Sequence, residues 1–133
     1  MKVVDIIAND TSWALEGEVT RSMLKLTTEE QAWHDAYRRN LHERFPGQIE
    51  DLIIFGSKAR GDAGTDSDLD VLVVIRAGDW QVKDTLALVG YGLAIGTDVV
   101  PSIQIYTVAE WDRLRQRQSV FLEAVERDGA SVR

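Results

Sequence analysis

The chain has 133 residues, of which 44% are hydrophobic and 28% are charged, as is ordinary for one soluble globular domain with a real core. Its 22 acidic and 15 basic residues give a net charge of −7, which argues against a general nucleic-acid-binding surface. The absence of cysteine excludes disulfides and thiolate metal sites. The apolar stretch near the N-terminus is short and interrupted by Asp5, so we expect a cytoplasmic protein without a signal peptide or membrane span.

The N-terminal part has the least defined pattern. We expect a single domain over residues 1–133, with residues 1–26 as an N-terminal extension of uncertain structure. The first clear helix begins at Thr27, which has the capping-box spacing to Glu30. An apolar stripe that favours core packing follows at intervals of four: Trp33, Tyr37, Leu41 and Phe45. Pro46 and Gly47 end this helix, and we expect its two histidines, His34 and His42, to be solvent-exposed.

The remaining elements alternate between strands and helices. Apolar runs predict strands over 49–55 and 69–75, a helix over 80–93 and a third strand over 99–106. Thr107 and Glu110 form a second capping box, so a helix is predicted to continue through Arg117. A last helix is predicted to begin at Gln118 or Ser119 and to end at Gly129. The order indicates an α+β fold: a mixed β-sheet with helices mainly on one face and the other face open to a ligand.

The most informative feature is a glycine turn followed by two carboxylates. Gly56-Ser57 ends the first predicted strand, and Asp68 and Asp70 begin the second after a gap of ten residues. Because side chains alternate along a strand, Asp68 and Asp70 are expected on one face, where two carboxylates favour a cation between them. Mg²⁺ fits, since it takes oxygen ligands and retains positions for phosphate oxygens. The pattern therefore predicts a site for a metal and a nucleoside triphosphate.

The residues around the turn supply further candidates for phosphate binding. Gly56 allows a tight bend, and the backbone and hydroxyl of Ser57 can donate to a phosphate. Lys58 and Arg60 are cations near the same turn, and either could meet phosphate charge. Ser67 immediately precedes Asp68 and could orient a carboxylate. Gly56, Ser57, Lys58, Arg60 and Ser67 are thus the predicted nucleotide-binding residues.

At these residues the chain resembles the nucleotidyltransferase superfamily, whose fold is that of DNA polymerase β. The segment GSKARGDAGTDSDLDVLVV fits the family pattern of Gly-Ser, ten residues and Asp-x-Asp. The small size resembles the minimal nucleotidyltransferases that act as antitoxins of HEPN-domain toxins. The resemblance implies a nucleotidyltransferase-like fold and transfer of a nucleoside monophosphate, commonly AMP from ATP, to a hydroxyl acceptor. It also implies Asp68 and Asp70 as catalytic residues that bind Mg²⁺ or Mn²⁺.

The family usually places a third carboxylate on a neighbouring strand, and this chain departs from that pattern. Ser102 and Gln104 stand where an acid is expected, and neither can act as a general base near neutral pH. Asp98 precedes the strand and is expected at its wrong end. Glu110 is better explained by its capping box. Two-metal catalysis is therefore not expected, whereas one Mg²⁺ delivered with the nucleotide remains compatible.

Three functions remain open at the level of the sequence. The first is an enzyme that transfers AMP from Mg-ATP to a hydroxyl on a partner protein, often a tyrosine of a HEPN toxin. The second is an antitoxin of the same fold that acts by binding, with weakened catalysis. The third is a small-molecule nucleotidyltransferase. The expected partners are ATP or another nucleoside triphosphate, a HEPN toxin and a further copy of the chain, without nucleic acid or membrane.

Overall fold

The computed structural model describes residues 25–60 and 68–132. Most of the predicted N-terminal extension, residues 1–24, therefore lies outside the described part. The elements follow in chain order: α1 (Thr28–Arg44), β1 (Ile49–Phe55), α2 (Ser57–Arg60), β2 (Leu69–Ile75), α3 (Trp80–Ala94), β3 (Pro101–Thr107), α4 (Val108–Gln116), α5 (Val120–Asp128) and β4 (Ala130–Ser131). None of these helices is both long enough and apolar enough to cross a membrane.

The strands form one mixed sheet in the order β3-β2-β1-β4. β1 runs antiparallel to β2 and β4, whereas β2 and β3 are parallel and are joined through α3. The predicted mixed α+β fold is confirmed. Sequence patterning did not indicate two short elements, α2 and β4, because four and two residues are too few to show a period.

Two long helices cover one side of the sheet, which we call the α1/α3 face. Alternate residues of β2, including Val71 and Val73, pack there against Tyr37 of α1 and Leu86 of α3. The hydroxyl of Tyr37 donates to the carbonyl of Leu86 at 2.9 Å, and the indole N–H of Trp33 donates to the carbonyl of Gly90 at 2.8 Å. The predicted apolar stripe of α1 is thus core, with its polar atoms bonded to α3.

The opposite side, which we call the α4/α5 face, differs from the expectation of an open surface. Leu72 and Val74 alternate along β2 with Val71 and Val73 and therefore point to this second face. They pack there against Trp111 of α4 and against Leu122 and Val125 of α5. Two helices of nine residues each therefore cover part of this face. The longer helices still lie on the α1/α3 face.

Both predicted capping boxes are present. Thr27 with Glu30 starts α1, and Thr107 with Glu110 starts α4, with reciprocal bonds of 2.9 to 3.1 Å in each. His42 is exposed as expected, but His34 is buried, so that expectation was wrong. Its position on α1 lies on the side packed against the rest of the domain, and burial lowers the pKa of its imidazole. Burial thus favours the neutral form of the His34 imidazole.

The outer edge of β3 has several of its backbone donors satisfied or removed. The backbone N–H of Ile103 donates to the hydroxyl of Tyr91 on α3 at 3.1 Å. The N–H of Thr107 donates to the carboxylate of Glu110 at 2.9 Å. Pro101, the first residue of the strand, has no N–H to offer.

Two glycines of α3 make a matched test of the packing between α3 and the sheet. A Cβ on Gly90 would overlap the end of the Ile103 side chain and press on the buried ring of Tyr37, whereas a Cβ on Gly92 would meet nothing. We expect the free energy of unfolding of the Gly90→Ala variant to be about 1–3 kcal/mol lower than that of the Gly92→Ala variant. The Gly92→Ala variant should be stabilised slightly, because alanine has a higher helix propensity than glycine. Urea denaturation of both variants measures the difference, and equal stabilities would contradict the packing described here.

Candidate active site

The bend between β1 and α2 requires glycine for two separate reasons. Gly56 has φ of +75°, a left-handed conformation that other residues rarely adopt. A Cβ at this position would also overlap the side-chain carboxylate of Asp70. The carbonyl of Gly56 accepts hydrogen bonds from the N–H groups of Ala59 and Arg60, each at 3.1 Å. The turn is thereby fixed directly against one of the two predicted metal ligands.

Asp70 lies in β2 on the α4/α5 face, and Asp68 is exposed immediately before the strand. Partial burial raises the pKa of the Asp70 carboxyl, and the neighbouring negative charge of Asp68 raises it further. The Arg60 guanidinium acts in the opposite direction and lowers it. The charges of Asp68 and Arg60 thus both act on the Asp70 carboxyl, and the two carboxylates repel each other.

The two predicted cations occupy different environments. Arg60 ends α2 with its side chain 47% exposed, and its guanidinium lies 3.8 Å from the carboxylate of Asp128 at the end of α5. Lys58 is only 1% exposed, and its ammonium lies 3.0 Å from the carboxylate of Glu30 on α1. Arg60 therefore acts on the Asp70 carboxyl, whereas the Lys58 ammonium is buried beside Glu30. The expected binding of phosphate by Lys58 stays a prediction.

The two serines are described only in part. Ser57 begins α2, but its side chain lies outside the described residues, as does the whole of Ser67. Their expected bonds to phosphate and to a carboxylate stay predictions. The loop glycines and acids between Arg60 and Asp68 also fall outside the described range.

The register of β3 shows which of its polar residues lies beside Asp70. Ser102 is the direct partner of Asp70, and Gln104 is the partner of Leu72. Glu110 receives two hydrogen bonds from the Lys83 ammonium, at 2.6 and 2.7 Å, in addition to its capping bonds. The expectation of a structural role for Glu110 is thus confirmed.

The expectation that Asp98 lies at the wrong end of its strand is wrong. β2 and β3 are parallel, and the N–H of Leu69 donates to the carbonyl of Val100 at 2.9 Å, so the segment before β3 lies at the same end as Asp68. Even so, within residues 25–60 and 68–132 no group of three or more histidine or carboxylate side chains is arranged to hold a metal. The described site offers two carboxylates.

Two residues that support the site were not found from the sequence. Glu30 was recognised as a helix cap, but nothing in its pattern indicated that its second oxygen binds Lys58. Asp128 is the last residue of an ordinary amphipathic helix, and only the folded chain brings it to Arg60. These contacts join residues far apart in sequence, for which one sequence carries no local signal.

A family model described as "Nucleotidyltransferase domain" matches residues 35–125, which include β1, the glycine turn, both aspartates and β3. The chain belongs to the nucleotidyltransferase domain family. It is similar to a candidate protein adenylyltransferase of Methanocaldococcus jannaschii, with 37% identity over 68 residues that cover 50% of this chain and 67% of that protein. The minimal nucleotidyltransferase assignment is confirmed, and the domain is a transferase.

A crystal structure of a candidate nucleotidyltransferase from Sulfolobus solfataricus shares 25% identity with this chain. The match covers 67% of this chain and 82% of that one, with a TM-score of 0.42.

Domains of this family generally use divalent metal ions. The donor set of this nucleotidyltransferase domain fits such an ion, because Asp68 raises the pKa of Asp70 and a cation between the two carboxylates would relieve that repulsion. Two carboxylates leave most of an octahedral shell for water and phosphate oxygens, which suits Mg²⁺. Asp68 and Asp70 are the residues that would hold the metal.

The contribution of the buried ion pair between Lys58 and Glu30 to stability can be tested by removing one of its charges. Glu30→Gln keeps an oxygen for the capping bond but leaves the buried Lys58 ammonium without the carboxylate at 3.0 Å. We expect the free energy of unfolding to fall by about 3 kcal/mol. In the matched control, Glu50→Gln changes a surface pair with Arg76 and should cost about 1 kcal/mol or less. Similar losses in the two variants, measured by denaturant unfolding, would contradict a buried pair.

The raised pKa of Asp70 predicts that the folding stability of the metal-free protein depends on pH. Since the folded state binds this proton more tightly than the unfolded state, stability falls as pH rises from the ordinary value of 3.8 through the raised pKa. Asp70→Asn should therefore melt at a higher temperature than wild type at pH 7 in EDTA, and this advantage should shrink as pH falls toward 4. The exposed Asp84→Asn is the matched control. An advantage for Asp70→Asn that does not change with pH would rule out this cause.

Proposed function

We propose that this nucleotidyltransferase domain transfers AMP from Mg-ATP to a hydroxyl group on a partner protein. The observation that carries the proposal is the contact between the Gly56 bend and the Asp70 carboxylate, with Asp68 and Arg60 beside it. We infer that this close approach holds a phosphate-binding turn and a pair of metal ligands together at one end of β2. The name of the M. jannaschii relative supports protein adenylylation as the activity.

Each residue has a defined role in the proposed reaction. The Gly56-Ser57 turn binds the β- and γ-phosphates, while Asp68 and Asp70 hold the metal, which neutralises triphosphate charge. Arg60 stabilises negative charge on the phosphates during in-line attack. The acceptor oxygen forms a bond to the α-phosphorus, the bond from that phosphorus to the bridging oxygen breaks, and pyrophosphate leaves.

The acceptor proton must leave without help from β3. Ser102 is the cross-strand partner of Asp70 and cannot take a proton near neutral pH, so we propose that the proton passes to water. This arrangement favours an acceptor that ionises more readily than an aliphatic alcohol. A tyrosine hydroxyl, with an ordinary pKa of about 10, meets that requirement. We propose a tyrosine of a HEPN-domain toxin as the acceptor.

The proposal is tested by incubating the domain with ATP labelled at the α-phosphate, Mg²⁺ and a HEPN-domain toxin. We expect label on the toxin, loss of label in EDTA, and at least about a hundredfold less transfer by the Asp68→Asn, Asp70→Asn double variant. Asp84→Asn, an exposed change on α3, should transfer normally. Label transfer that persists in the double variant would refute the roles given to the two aspartates.

A second function is favoured by the serine opposite Asp70. A domain without a third carboxylate could neutralise the toxin by covering its active site rather than by modifying it. Masking requires one domain per toxin and no ATP, whereas modification requires ATP and can turn over. Toxin activity measured at one domain per ten toxins, with and without Mg-ATP, separates the two. Inhibition at that ratio only with Mg-ATP supports transfer.

A further inference from the structure

Aromatic side chains adjoin the candidate site on the same face of the sheet. Phe55 is the direct antiparallel partner of Asp70, so the two side chains share the α4/α5 face. The Phe55 ring lies edge-on to that of Phe121 on α5, with centroids 5.7 Å apart. Phe121 in turn lies 6.2 Å from Tyr106 on β3. We call Phe55, Tyr106 and Phe121 the aromatic cluster.

The aromatic cluster is not sealed inside the core. Leu72 and Val74, beneath it on β2, are fully or almost fully buried, whereas all three rings are only partly buried. Each ring therefore packs on the core with one part and presents another to the surface. Partly exposed aromatic rings beside a phosphate site are suited to contact with a planar ligand, since a nucleobase gains stability by stacking on such rings.

One polar side chain lies beside these rings. Gln104 shares the α4/α5 face, and its Oε1 accepts a hydrogen bond from the Tyr106 hydroxyl at 3.3 Å. A glutamine amide offers one acceptor and two donors side by side, which is the arrangement that pairs with adenine through two hydrogen bonds.

The spacing suits a nucleotide. Gln104 is one strand across from Asp70 and two residues further along, because Asp70 pairs with Ser102. From ordinary sheet spacing, their Cα atoms are about 8 Å apart. A ribose can bridge such a separation between a phosphate held at the aspartates and a base at Gln104.

We propose that Gln104 and the aromatic cluster form the subsite for the adenine base of the nucleotide. The rings contact the base, and the Gln104 amide, which is hydrogen-bonded to Tyr106, recognises its hydrogen-bonding edge. The inference rests on the proposed function, because it places the triphosphate at Asp68, Asp70 and the Gly56 turn. The inference goes beyond the proposed function because it assigns residues that determine which nucleotide binds. Gln104, the residue that recognises the base, lies on β3.

Calorimetry on the full chain tests the subsite with four probes: Mg-ATP, Mg-GTP, Mg-CTP and Mg-tripolyphosphate, which has no base. Wild type should bind Mg-ATP at least about fivefold more tightly than the other three. Gln104→Leu keeps the size of the side chain and should remove that preference without weakening Mg-tripolyphosphate. The same change at an exposed glutamine of α4, Gln116→Leu, should preserve the preference. Phe121→Leu should weaken all three nucleotides but not tripolyphosphate.

The outcomes distinguish the subsite from the proposed function. If wild type binds all four probes equally, or if Gln104→Leu retains the preference for ATP, the subsite is refuted while the aspartate site stands. If Gln104→Leu lowers only transfer to the acceptor protein and leaves nucleotide binding unchanged, the subsite belongs to the acceptor and the inference is wrong. If no probe binds in a magnesium-dependent manner, both proposals fall. Unchanged circular dichroism and melting of each variant exclude misfolding as the cause.

Discussion

The contact between the Gly56 backbone and the Asp70 carboxylate is the constraint on which the site depends. It leaves no space for a side chain at residue 56, and it sets the distance between a turn that can bind phosphate and a carboxylate that can bind metal. The positive φ of Gly56 aims the chain into α2 immediately after β1. Two chemical functions separated in sequence by a loop are therefore held together by one close approach of backbone to side chain.

The helix that follows this turn is stabilised from two directions. Lys58 reaches the α1/α3 side and pairs with Glu30, which also caps α1. Arg60 reaches Asp128 at the end of α5, which packs on the other face. A helix of four residues has little stability of its own. Two ion pairs, one buried and one partly exposed, join it to separate layers of the domain.

The sequence was most informative where the chemistry is local. Capping boxes at Thr27 and Thr107 and the apolar runs in β1 and β2 depend on neighbouring residues, so their helices and strands were predicted correctly. The sequence could not separate Lys58 from Arg60, since both are cations in one turn and only tertiary contacts decide which is enclosed. It also misplaced Asp98, because the direction of β3 relative to β2 follows from the crossover through α3.

The outer edge of β3 has a consequence for how another protein can associate with this domain. With Pro101 lacking a donor and the amides of Ile103 and Thr107 already engaged by Tyr91 and Glu110, that border is a poor template for an incoming strand. At the opposite border, β4 is two residues long. Strand addition, a common route to both recognition and aggregation, is thus disfavoured at either margin. A protein that presents a hydroxyl to the aspartates is instead expected to engage through side chains and loops.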